Sequence, residues 1–142
     1  MATALILVIS LAALVQFAVW YLRAMMAVVA AHPLSDRVSR LFSSGGGMPG
    51  SNDFDLSCVF YRLCPDVELD TEAPPSRTAG TLSAVRGYYK LLGVLRGLSR
   101  VALPALSSWA GREMETCSRY AAVLLDQKLG RNVEAIARIY SY

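Results

Sequence analysis

Three cysteines, one histidine and a short run of alternating acids are the residues on which any chemistry of this 142-residue chain would rest. Cys58 and Cys64 lie six positions apart, which separates them by about 240° around a helix. In that conformation they neither share a metal nor close a disulfide. Cys117 makes the count odd, as a reducing compartment allows, so the thiols are expected to be free and mostly buried. Export of the C-terminal portion would instead let Cys58 and Cys64 bridge and leave Cys117 over.

His32 is the single histidine, which excludes a His-based metal cluster within one chain. It stands immediately before Pro33 and near a membrane boundary, where an imidazole could ligate a haem or chlorin. The ordinary role of such a residue is an interfacial polar group or a helix-end cap. Asp66, Glu68, Asp70 and Glu72 alternate with Val67, Leu69 and Thr71, so an extended strand would carry all four acids on one side. An EF-hand loop is excluded, because its glycine and glutamate positions are held by Thr71 and Arg77. A solvated edge or loop is the ordinary reading, and exposed acids lack the burial that tunes a catalytic carboxylate pair. No CxxC, HExxH, CxxCH, GxSxG or Walker pattern occurs. No catalytic residue, metal or cofactor is expected, and the chain is not expected to be an enzyme.

The basic residues form a clearer pattern. Residues 81–103 carry Arg86, Lys90, Arg96 and Arg100 and no acid. On a helix these four fall within a stripe of about 120°, with Gly93 and Gly97 inside it. Such a stripe meets water on a bundle helix, or lies on an anionic leaflet as an interfacial helix. With Gly93 and Gly97 it also offers a small-xxx-small contact to another helix. Nucleic acid is not expected, since one stripe of four charges without interleaved recognition chemistry is generic.

The element that positions all of this is a membrane span. Residues 2–22 contain no charge, Pro or Gly, and Gln16 is their one strongly polar side chain. As a helix they span about 31 Å, matching a hydrocarbon core of about 30 Å. A buried soluble helix rarely runs so far without a polar face. Trp20 and Tyr21 beside Arg23 resemble an interfacial belt, with the guanidinium reaching for lipid phosphate. Gln16 within the span would seek a hydrogen-bond partner on another helix, unless it is a tolerated polar residue of a monomeric anchor. A cleaved signal peptide competes, since Val29-Ala30-Ala31 suits the small-residue rule. Against it stand an uncharged n-region, an overlong apolar core and Arg23 before the site. Arg23, Arg37 and Arg40 against Asp36 place the C-terminal portion on the cytoplasmic side.

The rest of the chain reads as all-α. The expected layout is an anchor helix over 1–31 and a flexible Gly-rich linker over 32–52. A short helix and acidic extended segment follow over 53–80, and a bundle-like region over 81–142. Three to four helices follow the linker in all. The short helix, capped by Ser51 or Asn52, presents Phe54, Val59, Phe60 and Leu63 and stops at Pro65. A helix over 81–103 ends at Pro104, and the next runs from about Ala105 until Gly130 stops it, with Asn132 capping a final turn. Ala110, Met114, Cys117, Ala121 and Leu124 recur at spacings of four, three, four and three, a bundle seam. Tyr120, Tyr140 and Tyr142 are expected to be exposed near the end.

Charge is segregated. Residues 51–80 carry two basic and six acidic side chains, immediately before the four uncompensated cations of 81–103. A one-span anchor, a small helical region and segregated charge suggest a non-enzymatic accessory or scaffold subunit of a larger membrane assembly. Its partners would be other membrane-protein subunits and the bilayer, including anionic lipid. The alternative is a tethered module that docks an acidic partner or anionic lipid through the basic helix.

Overall fold

The computed structural model describes residues 1–45, 49–65 and 76–141, with side chains of 43–45 and 76–80 left aside. The acidic alternation at Asp66, Glu68, Asp70 and Glu72, most of the glycine run and Tyr142 lie outside the described residues. The chain is all-helical, with no strand among the described residues. Its elements are α1 (Ala2–Ala30), α2 (Asp36–Ser39) running into a 3-10 turn (Arg40–Gly45), α3 (Phe54–Leu63), α4 (Ser76–Ala102) and α5 (Pro104–Tyr140).

The longest helix, α5, is the one on which α1, α2, α3 and α4 all pack. The expected seam accounts for this, since Ala110, Met114, Cys117, Ala121 and Leu124 are all buried. Leu103 alone joins α4 to α5, and Pro104 starts α5 where a missing N–H costs no helical bond. The two therefore form an antiparallel hairpin, with Val85, Tyr88 and Leu92 of α4 in the core. Phe54 of α3 stacks on Tyr89 with ring centroids 4.4 Å apart. The Tyr89 hydroxyl donates to the Ser51 carbonyl at 2.6 Å, closing the start of α3 against α4.

Helix α1 is divided in two. Residues 2–18 are exposed along their whole length, and the helix is long and apolar enough to cross a membrane. From Val19 onward it docks on the bundle through Val19, Leu22, Met25, Met26 and Val29, with Met26 fully buried. Positions 19, 22, 26 and 29 repeat at three, four and three, a short seam that matches that of α5.

Several elements depart from the sequence reading, each for a local reason. The segment expected to be linker is helical over residues 36–45, because Val38 and Phe42 are drawn into a second cluster with Ala122 and Leu125. Ser35 fastens its start, donating both N–H and hydroxyl to the Asp126 carboxylate. Helix α3 buries Phe54, Ser57 and Cys58, while Val59 and Leu63 are exposed. Ser57 tolerates burial because its hydroxyl donates to the Asp53 carbonyl at 3.0 Å. Asp53, not Ser51 or Asn52, stands at the helix cap.

Gly130 does not end α5, which continues to Tyr140. One glycine costs a helix about 1 kcal/mol, and burial of Lys128, Asn132 and Ala135 on either side of it outweighs that. Asn132 is no cap: its amide donates to Cys64 Sγ at 3.1 Å and to the Pro65 carbonyl at 2.9 Å, fixing the end of α3. Tyr120 is buried rather than exposed, whereas Tyr140 is exposed.

Candidate membrane interface and docking face

Two features of the surface stand out once α1 and the hairpin are in place. The first is the boundary at which α1 leaves the bundle. Arg23 donates from Nε and Nη2 to Glu113 at 3.1 and 3.0 Å. Its guanidinium also lies over the Trp109 ring, 5.6 Å from the centroid. Tyr88 donates its hydroxyl to the same carboxylate at 3.1 Å. Arg23 was expected to reach lipid phosphate; the structure gives it an acid and an indole within the chain. Trp20 and Tyr21 remain exposed beside it.

In the sequence, Glu113 and Trp109 are signalled only by a repeated pattern. Trp20-Tyr-Leu-Arg23 in α1 and Trp109-Ala-Gly-Arg112 in α5 repeat one Trp-x-x-Arg pattern. The parallel pairing of α1 with α5 brings the two copies to the same level of the bundle, since Met26 Sδ meets Cys117 Sγ at 3.7 Å. Four positions of this level carry aromatic rings or guanidinium groups that favour a headgroup layer.

The second feature is the outer face of α4. Ala84, Gly87, Leu91, Val94, Leu98 and Val101 recur at three, four, three, four and three, and all are exposed. Leu91 and Val94 are 64% and 62% accessible, far beyond what a packed helix shows at seam positions. So α4 is apolar on two sides, one against α5 and one bare. Gly93 and Gly97 lie on the edge of the bare side, with nothing within 4 Å of where a Cβ would stand.

The basic stripe is partly absorbed by the fold. Arg96 lies across Gly111, its guanidinium carbon 3.5 Å from that residue's Cβ position, and reaches Ser51 Oγ at 3.5 Å. Arg100 is exposed near the hairpin turn. Arg86 and Lys90 meet Arg62, Cys58, Val59 and Asp55 of α3 around an open depression of about 280 Å³. Among the described residues three cations face one acid there, and none of those residues gives the buried Arg86 Nε a hydrogen-bond partner. Gln16 stands exposed in the undocked part of α1. His32 is exposed, with Nδ1 3.3 Å from the Val28 carbonyl, the contact of a helix-end residue.

The thiols are poorly suited to nucleophilic chemistry. All three cysteines are free and buried. Desolvation raises Cys58 above its ordinary value despite the opposing field of Arg86. Desolvation also lifts Cys117 from 9.0 to about 12, with Glu113 adding to the shift. Tyr88 is raised by the same two causes. Among the described residues, no three His, Cys, Asp or Glu side chains are placed to hold a metal.

These shifts predict alkaline sensitivity. Because the folded thiol binds its proton more tightly than the unfolded one, stability is intact below about pH 9 and declines towards the folded value near 12. The decline expected from Cys117 alone is about 1.4 kcal/mol per pH unit. Thermal melts of the detergent-solubilised chain from pH 8 to 11 should show it, and Cys117→Ala should flatten the slope. A wild-type melting temperature unchanged across that range would mean that Cys117 is not buried.

Comparison with family models, with curated proteins and with solved structures returned no match for this chain.

Proposed function

We propose that this chain is a non-enzymatic, single-pass accessory or scaffold subunit of a larger membrane protein assembly. The observation that carries the reading is the bare seam on α4. Apolar residues at bundle spacing, on a face where none of the described residues packs, suit a helix-docking position. The portion from Gly87 to Val94 lies beyond the Trp20–Trp109 level, away from the bare part of α1. In this reading its occupant is a helix of another subunit at the membrane surface. Lys90 and Arg86 along one border favour acidic residues on that helix.

The anchor is retained in this reading rather than cleaved. Removal after Ala31 would strip Met26 from the core together with Val19, Leu22, Met25 and Val29. Arg23, Arg37 and Arg40 favour a cytoplasmic C-terminal domain. Gln16, bare within the span, supplies a polar handle for a neighbouring transmembrane helix.

Gentle-detergent isolation of the full-length protein, with mass spectrometry of whatever co-purifies, tests the proposal. A stoichiometric set of membrane proteins is expected, and Leu91→Glu with Val94→Glu should release it without lowering the melting temperature. Recovery of the wild-type protein alone, monodisperse and folded, would overturn the subunit reading. The second reading, a tethered module for an acidic partner or anionic lipid, rests on the Arg62–Arg86–Lys90 depression. It requires binding to anionic vesicles or an acidic peptide that Arg86→Gln and Lys90→Gln abolish together.

A further inference from the structure

We infer that the tip of the α4–α5 hairpin dips into the same bilayer that α1 crosses, giving the protein a second, monotopic membrane contact. The inference rests on reading α1 as a span.

Register carries it. Arg23 meets Glu113 and Met26 meets Cys117, so α1 and α5 run parallel with partners 90 and 91 positions apart. By that register Trp20 stands level with Ala110, and the turn at Leu103–Pro104 stands level with Ala13–Leu14. The turn thus projects about 9 Å past Trp20 towards the N-terminus of α1. If Trp20 and Tyr21 mark the headgroup layer, a tip carried that far enters the acyl region. Monotopic helices bury to about this depth, roughly 5–10 Å.

The tip has the composition that such a position requires. Residues 97–111 hold a single charge, Arg100, and no acid. Leu98, Val101 and Leu103 are 74%, 95% and 58% accessible, an apolar cap left bare by the described residues. Arg100 has a long stem that lets its guanidinium return to the phosphates while its methylenes stay in lipid. Trp109 comes to the level of Trp20 from the other helix, so one aromatic belt serves both elements. A soluble hairpin turn would place polar residues where Val101 and Leu103 are found.

Depth-resolved fluorescence tests this on the full-length chain in phosphatidylcholine vesicles containing lipids brominated on the acyl chain. In a Trp20→Phe, Trp109→Phe background, a single tryptophan is placed at Leu103, at Phe17 as the span control, or at Ile139 as the solvent control. Leu103→Trp should lose at least about two-fold of its emission, as Phe17→Trp does, whereas Ile139→Trp should be unaffected. Quenching at Phe17 but not at Leu103 would overturn the tip insertion and leave the span intact. Quenching at neither would overturn both. Should Leu103→Trp fail to fold, Val101→Trp, at a nearly fully accessible position, answers the same question.

Discussion

A fragment of residues 19–142 is expected to melt cooperatively in mild detergent, whereas one of residues 50–142 is expected not to. The 19–142 fragment loses only the exposed part of α1. The shorter one loses Met26, Val38 and Phe42, which are 0%, 0% and 2% accessible. Burying each such side chain contributes about 1.5–3 kcal/mol, so the three together amount to roughly 5–9 kcal/mol. A small domain has about 5–15 kcal/mol in total. The loss is therefore comparable with the whole stability of the fold, before counting Val19, Leu22, Met25, Val29 and Leu34 at the edges of the two clusters. Circular dichroism against temperature would decide it. A sharp transition for 50–142 within about 10 °C of the longer fragment would mean that α1 and α2 do not belong to the core.

Removing the carboxylate of Glu113 should have the largest effect of any single polar substitution at the boundary. Its side chain is 14% accessible and accepts three hydrogen bonds, two from Arg23 and one from Tyr88. Glu113→Ala leaves a buried phenol and a guanidinium without their acceptor, at an expected cost of about 2–3 kcal/mol. Most of that belongs to the buried groups, since Arg23 is 45% accessible and water compensates part of its loss. Glu113→Gln keeps an acceptor for Tyr88 and should recover about half of it. In a double-mutant cycle with Arg23→Met, the coupling should be about 1 kcal/mol. Chemical denaturation of the solubilised chain measures all four corners. A Glu113→Ala variant within about 0.5 kcal/mol of wild type would show that this carboxylate is not held as described.

The two predictions concern the same junction, where the long apolar helix α1 becomes part of the domain core. That continuity has a mechanical consequence. With α1 spanning a bilayer as proposed, a rigid helix that is bare over residues 2–18 and docked over 19–30 would fix the orientation of the bundle relative to that bilayer. A flexible linker would leave the domain free to tumble. Under the proposed readings, that orientation would set the hairpin tip against lipid and turn the outer face of α4 towards neighbours in the plane of the membrane.

Much of this could be read from local pattern. The uncharged stretch 2–22, the α5 seam from Ala110 to Leu124, and the stops at Pro65 and Pro104 depend on residue type and spacing along one helix. Hydrophobicity alone favours Val59 and Leu63 on the buried face of α3. Burial in fact fell to Ser57, whose hydroxyl is satisfied within the helix, and to the weakly polar Cys58. Gly130 and Asn132 looked like a stop and a cap, and no local rule could foresee that Asn132 would find Cys64 and Pro65 across the fold.

By itself, then, the sequence determined that the chain is helical, that it begins with an apolar helix long enough for a bilayer, and that few of its side chains could do chemistry. Those are properties of composition and period, which need no partner to be legible. Tertiary structure alone decided that the apolar N-terminal helix ends inside the core, that Arg23 belongs to Glu113, and that Leu92 is covered while Leu91 is bare. Each depends on the register between helices far apart in sequence. That register is chosen by packing summed over many residues rather than by any one of them.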